Sequence, residues 1–443
     1  MADIRSEGDL NISPRRAAWA KEHIDPKTQQ WLDADAEVFL HQSLSTPCLN
    51  VLRGCGGAYI EDWQGRKILD FHGNNVHQAG FSNPRVMDAI TTQMQELSFC
   101  PRRYTNVSAI RLAQKLTALA PGDLNRVLFV PGGTEAIGMA MKLARAATGR
   151  FKTISMWDSF HGASLDAISL GGEAIFRKDI GPLLPGTEHV PPPDPAHCPF
   201  CKKACTLQCA EYVEYVLEKE GDVGAVIAET VRSTPFIPSP EYWKRIRAAC
   251  DKYGALLILD EIPTCLGRTG CLFACEQYGI VPDMLVIGKG LGGGIFPLAA
   301  LIAREGLNQA MPERALGHYT HEKNPVACAA ALAAIEFLEE EKVIEHVREL
   351  GAYALERLRA MKAQYPLIGD VRGAGLLLGV ELIHANGERA TDEAEQVLYE
   401  ALRRGLSFKI TMGNILTLTP ALTITKEEMD MALDILDTCF QSL

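Results

Sequence analysis

A lysine that ends an aliphatic run and opens a glycine-rich one, Lys289 in DMLVIGKGLGGGIFP, is placed for covalent chemistry. Burial at a strand end lowers the pKa of an ε-amine, making it a nucleophile toward carbonyl groups and afterwards a base. An exposed loop lysine has the same local pattern, so the assignment depends on its companions. Asp260 closes LLILD, and an ionised carboxylate behind a buried strand needs a cationic partner to offset its desolvation. A protonated pyridine nitrogen is such a partner, although acidic strand ends also serve phosphate and metal enzymes. In VPGGTEAIGMAMKLAR, Gly133 and Thr134 stand where a strand gives way to a helix, so backbone N–H groups and the helix dipole meet an anion there. No Gly-Lys-Ser/Thr follows, and the dinucleotide-binding spacing is missing. Phe160 in DSFHGAS can stack on a flat heterocycle, and Ile262, just after Asp260, can cover the opposite face or simply belong to the core. An amine nucleophile, a carboxylate for a ring nitrogen, a phosphate cup and an aromatic cover together suit pyridoxal 5′-phosphate.

The elements that must hold these groups are legible as an alternation. From about Leu112 onward, short aliphatic or β-branched runs (RVLFV, KTISM, AVIAE, LLILD, DMLVI) alternate with amphipathic helical patterns (TEAIGMAMKLARAATG, YWKRIRAACDKYG). That is the pattern of a parallel sheet with crossover helices, whose ligands gather at the carboxyl ends of the strands. Those ends read Gly132, Glu229, Asp260 and Lys289. The expected organisation is an N-terminal segment, residues 1–78, packing with a small domain; a large cofactor-binding domain, residues 79–318; and a small α+β domain, residues 319–443. The small domain is expected to contain a GLLLGVEL strand, a VLYEALRRG helix and an LTLTPALTI strand. PPPDPAHCPFCKKACTLQC, near 190–210, reads as a surface insertion with no share in the core.

A chain of 443 residues with 47% hydrophobic and 22% charged residues suits a multi-domain globular enzyme, and no apolar run reaches the roughly 18 residues of a membrane span. The net charge of −11 argues against nucleic acid and anionic membranes as partners, but not against a small anionic substrate held by local cations. The N-terminal stretch MADIRSEGDLNISPRRAAWAKEH mixes charge signs and lacks a secretory core, so a cytoplasmic location with reduced thiols is expected. Cys198, Cys201, Cys205 and Cys209 lie close together beside His197, but their spacing departs from a common zinc ribbon. No metal is assigned to them.

GGTEA, FHG, LLILDEIPTCLGRTG, GKGLGGG and HYTHEKNPVACAAA, in this order, resemble a class III (ornithine/4-aminobutyrate type) aminotransferase over most of the chain. The resemblance implies the pyridoxal-phosphate transferase fold of type I, an α/β architecture with a mostly parallel seven-stranded sheet and a smaller α+β domain. It also implies a homodimer with shared active sites. It gives Lys289 to the Schiff base with pyridoxal 5′-phosphate, Asp260 to the pyridine nitrogen, Gly133 and Thr134 to the phosphate, and Phe160 and Ile262 to the ring faces. Glu229 is kept in the cofactor set, and Thr320 is expected to reach the cofactor phosphate of the neighbouring subunit.

Departures from the family bear on the reaction. Pro263 stands where a glutamine would touch the phenolic oxygen, the glycine-rich turn after Glu229 is replaced by TVRSTPFIPSP, and Thr417 stands where many members that use 2-oxoglutarate carry an arginine. Loss of that bidentate clamp, worth about 2 kcal/mol in a desolvated site, disfavours 2-oxoglutarate as acceptor. DFHGNNVHQAGF, CPRRYTN, ETVRSTPFIPSP and GLSFKITMGNILTLTPALTIT are similar to a lyase subgroup of this fold. The leading expectation is therefore an ammonia-lyase acting on a small hydroxylated amino-phosphonate. The alternatives are an ω-aminotransferase using pyruvate or another keto acid, and a catalytically silent relative with a binding role. Arg102, Arg103 and Arg232 are the candidates for the anionic end of the substrate, with Lys409 a further one. His72 and His77, in a polar cluster with Asn75 and Gln78, are candidates to protonate the leaving hydroxyl, while for either taken alone a structural role is the stronger expectation.

Overall fold

The computed structural model describes residues 13–194, 197–201, 205–313 and 315–443. Fifteen strands follow one another along these residues: β1 Leu52–Gly56, β2 Tyr59–Asp62, β3 Lys67–Asp70, β4 Leu124–Val130, β5 Lys152–Met156, β6 Thr187–Val190, β7 Val223–Glu229, β8 Leu256–Asp260, β9 Met284–Ile287, β10 Ala299–Arg304, β11 Ile368–Ala374, β12 Leu377–Leu382, β13 Leu406–Ser407, β14 Lys409–Thr411 and β15 Ile415–Leu418. Seven of them form the central sheet in the order β4-β10-β9-β8-β7-β5-β6. β5 to β9 are parallel neighbours, and β10 runs antiparallel to both β4 and β9. β4 therefore points the same way as the parallel strands, and the carboxyl ends of β4, β5, β7, β8 and β9 share one edge. Every residue of β7 and β9 is buried, as continuous apolar runs between two layers of helices require.

β6 and β10 escape the sequence pattern. AALIAR is as compatible with a helix as with a strand, and pairing with both β4 and β9 decides the matter. LTLTPALTI also forms less strand than expected. β15 stops at Leu418, because Thr419 N–H turns to Phe71 O and Pro420 has no N–H for a ladder.

Two smaller antiparallel-based sheets flank the large one, ordered β1-β2-β3-β13 and β11-β12-β15-β14. The short β13 pairs parallel to β3 and so joins the first strands of the chain to its C-terminal part. The helix Pro325–Glu340 packs against Pro84–Glu96, Val107–Leu119 and the turn Lys289–Gly292, which it braces from behind. Val86 and Ile90 meet Val326, Ala330 and Ala334 there, and each of the larger side chains contributes about 1.5–3 kcal/mol by burial.

The cysteine-rich insertion does share in the core, contrary to expectation. Cys209 is buried at the start of the helix Gln208–Glu220, and Asp194 is buried as well. His197 ties the insertion to the small unit: Nδ1 meets Asp194 Oδ2 at 2.8 Å and Nε2 meets Glu381 Oε1 of β12 at 3.0 Å. Glu381, fully buried, also pairs with Arg372 at 2.6 Å. The hydrogen bonds that His197 donates to Asp194 and Glu381 raise its pKa to about 9. The raised value means that its stabilising contribution is complete below about pH 6.5 and fades as pH rises through about 9. We expect protease cleavage between Val190 and Leu207 to accelerate across that interval, and His197→Ala to be cleaved fast throughout. Cleavage indifferent to both would refute the latch.

Among the described residues, no group of three or more His, Cys, Asp or Glu side chains is arranged to hold a metal ion. Cys201 Sγ is instead engaged by Thr206 through its hydroxyl at 3.1 Å and its N–H at 3.3 Å, which hold the thiol down at about 7.

Candidate functional site

The groups singled out at the strand ends converge on the shared edge of the sheet. Asp260 and Glu229 are register neighbours on β8 and β7. Lys289 follows β9 in a left-handed backbone conformation, φ 49°, which is uncommon outside glycine and is held here by the turn that begins with it. Gly290 lets the next residue lie flat against Gln78: a Cβ there would collide with the carboxamide. Gln78 in turn donates to Asn75 O, so the His72–Gln78 loop lies under the lysine turn.

Gly133 opens the helix Gly133–Thr148, whose N-cap Gly132 offers no side chain to its first N–H groups. A Cβ on Gly133 would stand 2.6 Å from Ile262 Cδ1, which brings the helix start, Ile262 and Asp260 together. Thr134 touches Gly162, and so links the same helix to the loop that carries Phe160 and His161. The Phe160 ring lies 4.9 Å from that of Phe176, tilted by 43°.

Asp260 is almost fully buried, with Oδ1 accepting from Ile262 N–H at 3.0 Å and Oδ2 lying 2.7 Å from His161 Nδ1. A carboxylate only accepts, so Nδ1 carries a proton, and among the described residues the buried Nε2 has no hydrogen-bond partner. His161 holds the carboxylate by one oxygen. Its role went unread in the sequence although FHG was noted; the signal was an imidazole between an aromatic and a glycine at the end of β5. Glu261, adjacent to Asp260, points the other way along the strand pleat and is absorbed structurally. It accepts from Thr230 Oγ1 and the N–H groups of Ala274 and Cys275 at 2.6–2.8 Å, and burial pushes it up to about 7.

The cationic candidates separate by environment. Arg232 is buried between Glu173 at 3.2 Å and Glu229 at 3.5 Å, with its guanidinium over Phe236, so it is already neutralised. Arg102 and Arg103 are exposed, and Arg102 donates to His318 O, two residues from the exposed Thr320. These three lie along one surface segment. His77 is fully buried and stacked on Phe81 at 4.7 Å. His72 faces two ammonium groups: desolvation, then Lys409, Lys289 and His77, lower its pKa to about 3. Lowered in this way, the imidazole is neutral at pH 7, and His72 is a hydrogen-bonding group there rather than a cation.

The arrangement fits pyridoxal 5′-phosphate. The first-turn N–H groups of Gly133–Thr148 would take the phosphate, Asp260 the ring nitrogen, Phe160 and Ile262 the ring faces, and Lys289 the aldehyde carbon; the cradle is one that a Cβ on Gly133 would fill. Seven-stranded sheet, small flanking unit and strand-end lysine together define a pyridoxal-phosphate enzyme of fold type I. The chain belongs to the class III aminotransferase family, which residues 41–440 match.

It is 50% identical to the (R)-1-hydroxy-2-aminoethylphosphonate ammonia-lyase of Vibrio splendidus over 98% of this chain and 94% of that one. Among solved structures it resembles a Bacillus anthracis aminotransferase, with a TM-score of 0.88 and 29% identity over 95% of this chain and 100% of the other. It also resembles the PLP-bound form of an amine transaminase from an uncultivated Pseudomonas species, with a TM-score of 0.85 and 29% identity over 91% and 98% of the two chains.

Proposed function

We propose that the protein is a pyridoxal 5′-phosphate-dependent ammonia-lyase converting (R)-1-hydroxy-2-aminoethylphosphonate into phosphonoacetaldehyde and ammonia. The observation that carries this reading is the 50% identity to the Vibrio splendidus lyase over nearly the whole of both chains. Bound at this site, the cofactor supplies an electron sink for negative charge at the amine-bearing carbon of the substrate. With the cofactor bound, Lys289 Nζ would be the base that takes the proton from that carbon. Loss of that proton with the neighbouring hydroxyl as water, and return of one water by hydrolysis, would convert the substrate into the aldehyde and ammonia with no keto acid consumed. Asp260, held by His161 and Ile262 N–H, would face the ring nitrogen of the bound cofactor. His72 rather than the fully buried His77 is our candidate to hydrogen-bond the leaving hydroxyl.

The enzyme is proposed to work in the cytoplasm as a homodimer. Exposed Phe99, Tyr104, Val107 and Ile110 surround the Thr320 segment, with the Phe99 ring edge-on to His321 at 5.4 Å, an apolar surface suited to a second copy. The described residues include no helix long and apolar enough to cross a membrane.

Amine transfer to a keto acid is the second reading, favoured by the transaminase character of the structural relatives. Cofactor-loaded enzyme incubated with (R)-1-hydroxy-2-aminoethylphosphonate and no keto acid separates the two. Sustained release of ammonia and aldehyde over many turnovers is expected. Product that stops at one equivalent, and resumes on adding pyruvate, would replace the lyase reading with the transaminase.

A further inference from the structure

The small sheet, docked on the His72 loop, carries at Lys409 an ammonium that no carboxylate among the described residues pairs. Lys409 opens β14 directly opposite Thr417 of β15, and residues two apart on a strand share a face, so Lys409, Thr411 and Thr417 stand side by side. The hydroxyls of Thr411 and Thr417 lie 2.8 Å apart, and both residues are buried. Two residues beyond Thr417, Thr419 Oγ1 donates to the carbonyls of Phe71 and His72 at 3.2 and 3.3 Å, which docks this strand end on the His72 loop. His72 thereby comes under the electrostatic influence of both Lys409 and Lys289.

Lys409 is half-buried, and among the described residues no carboxylate forms an ion pair with it. The neighbouring cations are committed elsewhere. Arg232 is held by Glu173 and Glu229, Arg372 by Asp370 and Glu381, and the fully buried Arg268 donates to the carbonyls of Leu376 and Pro420. An anion arriving beside Lys409 would meet a positive charge with hydroxyl groups next to it. A substrate whose amine and phosphorus are separated by two carbons needs its anion site close to Lys289.

We propose that Lys409, with the hydroxyls of Thr411 and Thr417, receives the phosphonate end of the substrate while Lys289 engages its amine. This rests on the reading of the substrate as an anionic amine, and it makes β14 a specificity-determining strand. Ammonium and hydroxyl donors supply a point charge and hydrogen bonds to a tetrahedral oxyanion, without the planar fork that favours a carboxylate.

The test is calorimetric titration of the holoenzyme with 2-aminoethylphosphonate, which lacks the leaving hydroxyl. Wild type is compared with Lys409→Met, Lys409→Arg and Thr417→Val. Lys409→Met is expected to weaken binding by roughly 10- to 100-fold, the loss for a charged hydrogen-bonding group, and Lys409→Arg to restore most of it. Melting temperature and cofactor absorbance should match wild type in Lys409→Met and Lys409→Arg, because no carboxylate among the described residues pairs with Lys409, whereas Thr417→Val also deprives the buried Thr411 hydroxyl of its partner and should melt lower. In parallel turnover of the full substrate, KM should rise in Lys409→Met with kcat little changed, as expected for uniform binding. Equal affinity of wild type and Lys409→Met would overturn the proposal even if the lyase reaction is confirmed. Lys409-dependent binding without keto-acid-free turnover would uphold the anion site and remove the lyase reading alone.

Discussion

Lys289→Ala is expected to lower turnover by roughly four orders of magnitude or more, because one side chain supplies both the nucleophile that carries the cofactor and the base that starts the elimination. The residue sits at φ 49° in a turn braced by the helix Pro325–Glu340, so its amine is held in place rather than searching for it. Alanine keeps a Cβ at that backbone conformation, so the turn and the fold should persist. The readouts are single-turnover ammonia release and the visible absorbance of the lysine-linked cofactor, which should vanish while bound cofactor remains detectable after denaturation. An added small primary amine should recover a fraction of the rate. A variant retaining more than a hundredth of wild-type turnover would remove Lys289 from the mechanism.

Asp260→Asn should lower kcat by about 10²- to 10³-fold, the typical effect of removing one preorganised charge from a desolvated site. Asparagine keeps the volume and can still accept from Ile262 N–H, so the loss would report charge rather than packing. It also changes His161. With a carboxylate opposite, Nδ1 donates, whereas an amide NH₂ facing it would require the other tautomer and transfer the hydrogen to Nε2. The pH dependence of cofactor absorbance is the decisive measurement, since a ring nitrogen deprived of its counter-charge loses its proton at lower pH. His161→Asn should move the same spectral transition in the same direction by less, as befits a residue acting through Asp260. An Asp260→Asn enzyme within tenfold of wild type, with an unmoved spectrum, would show that the carboxylate is structural.

Asp260 and Lys289 could be read from the chain because each ends a short aliphatic run, and parallel sheets put such ends on one edge whatever the loops between them do. Gly133 was legible for the same reason, as the first residue of a helix after a strand. Glu261 shows the limit of that logic: it stands next to Asp260 in sequence, and only the pleat and the N–H groups of Ala274 and Cys275 send it into the core. Arg232 reads as a free cation in sequence, because nothing local announces Glu173, fifty-nine residues away.

The docking of the cysteine-rich insertion depends on an ion pair between His197 and Glu381, and the anion site depends on Lys409 lying opposite Thr417 with His72 beside them. The sequence by itself determined the strands β4, β5, β7, β8 and β9, the strand-end chemistry and the family, because hydrophobic periodicity and turn composition are local properties, while β10 needed its pairing partners. Which charges are neutralised, which imidazole stays neutral and which cation is left for a substrate were decided only by the tertiary structure. Those outcomes follow from desolvation and distance between groups far apart in the chain, and neither quantity exists until the chain is folded.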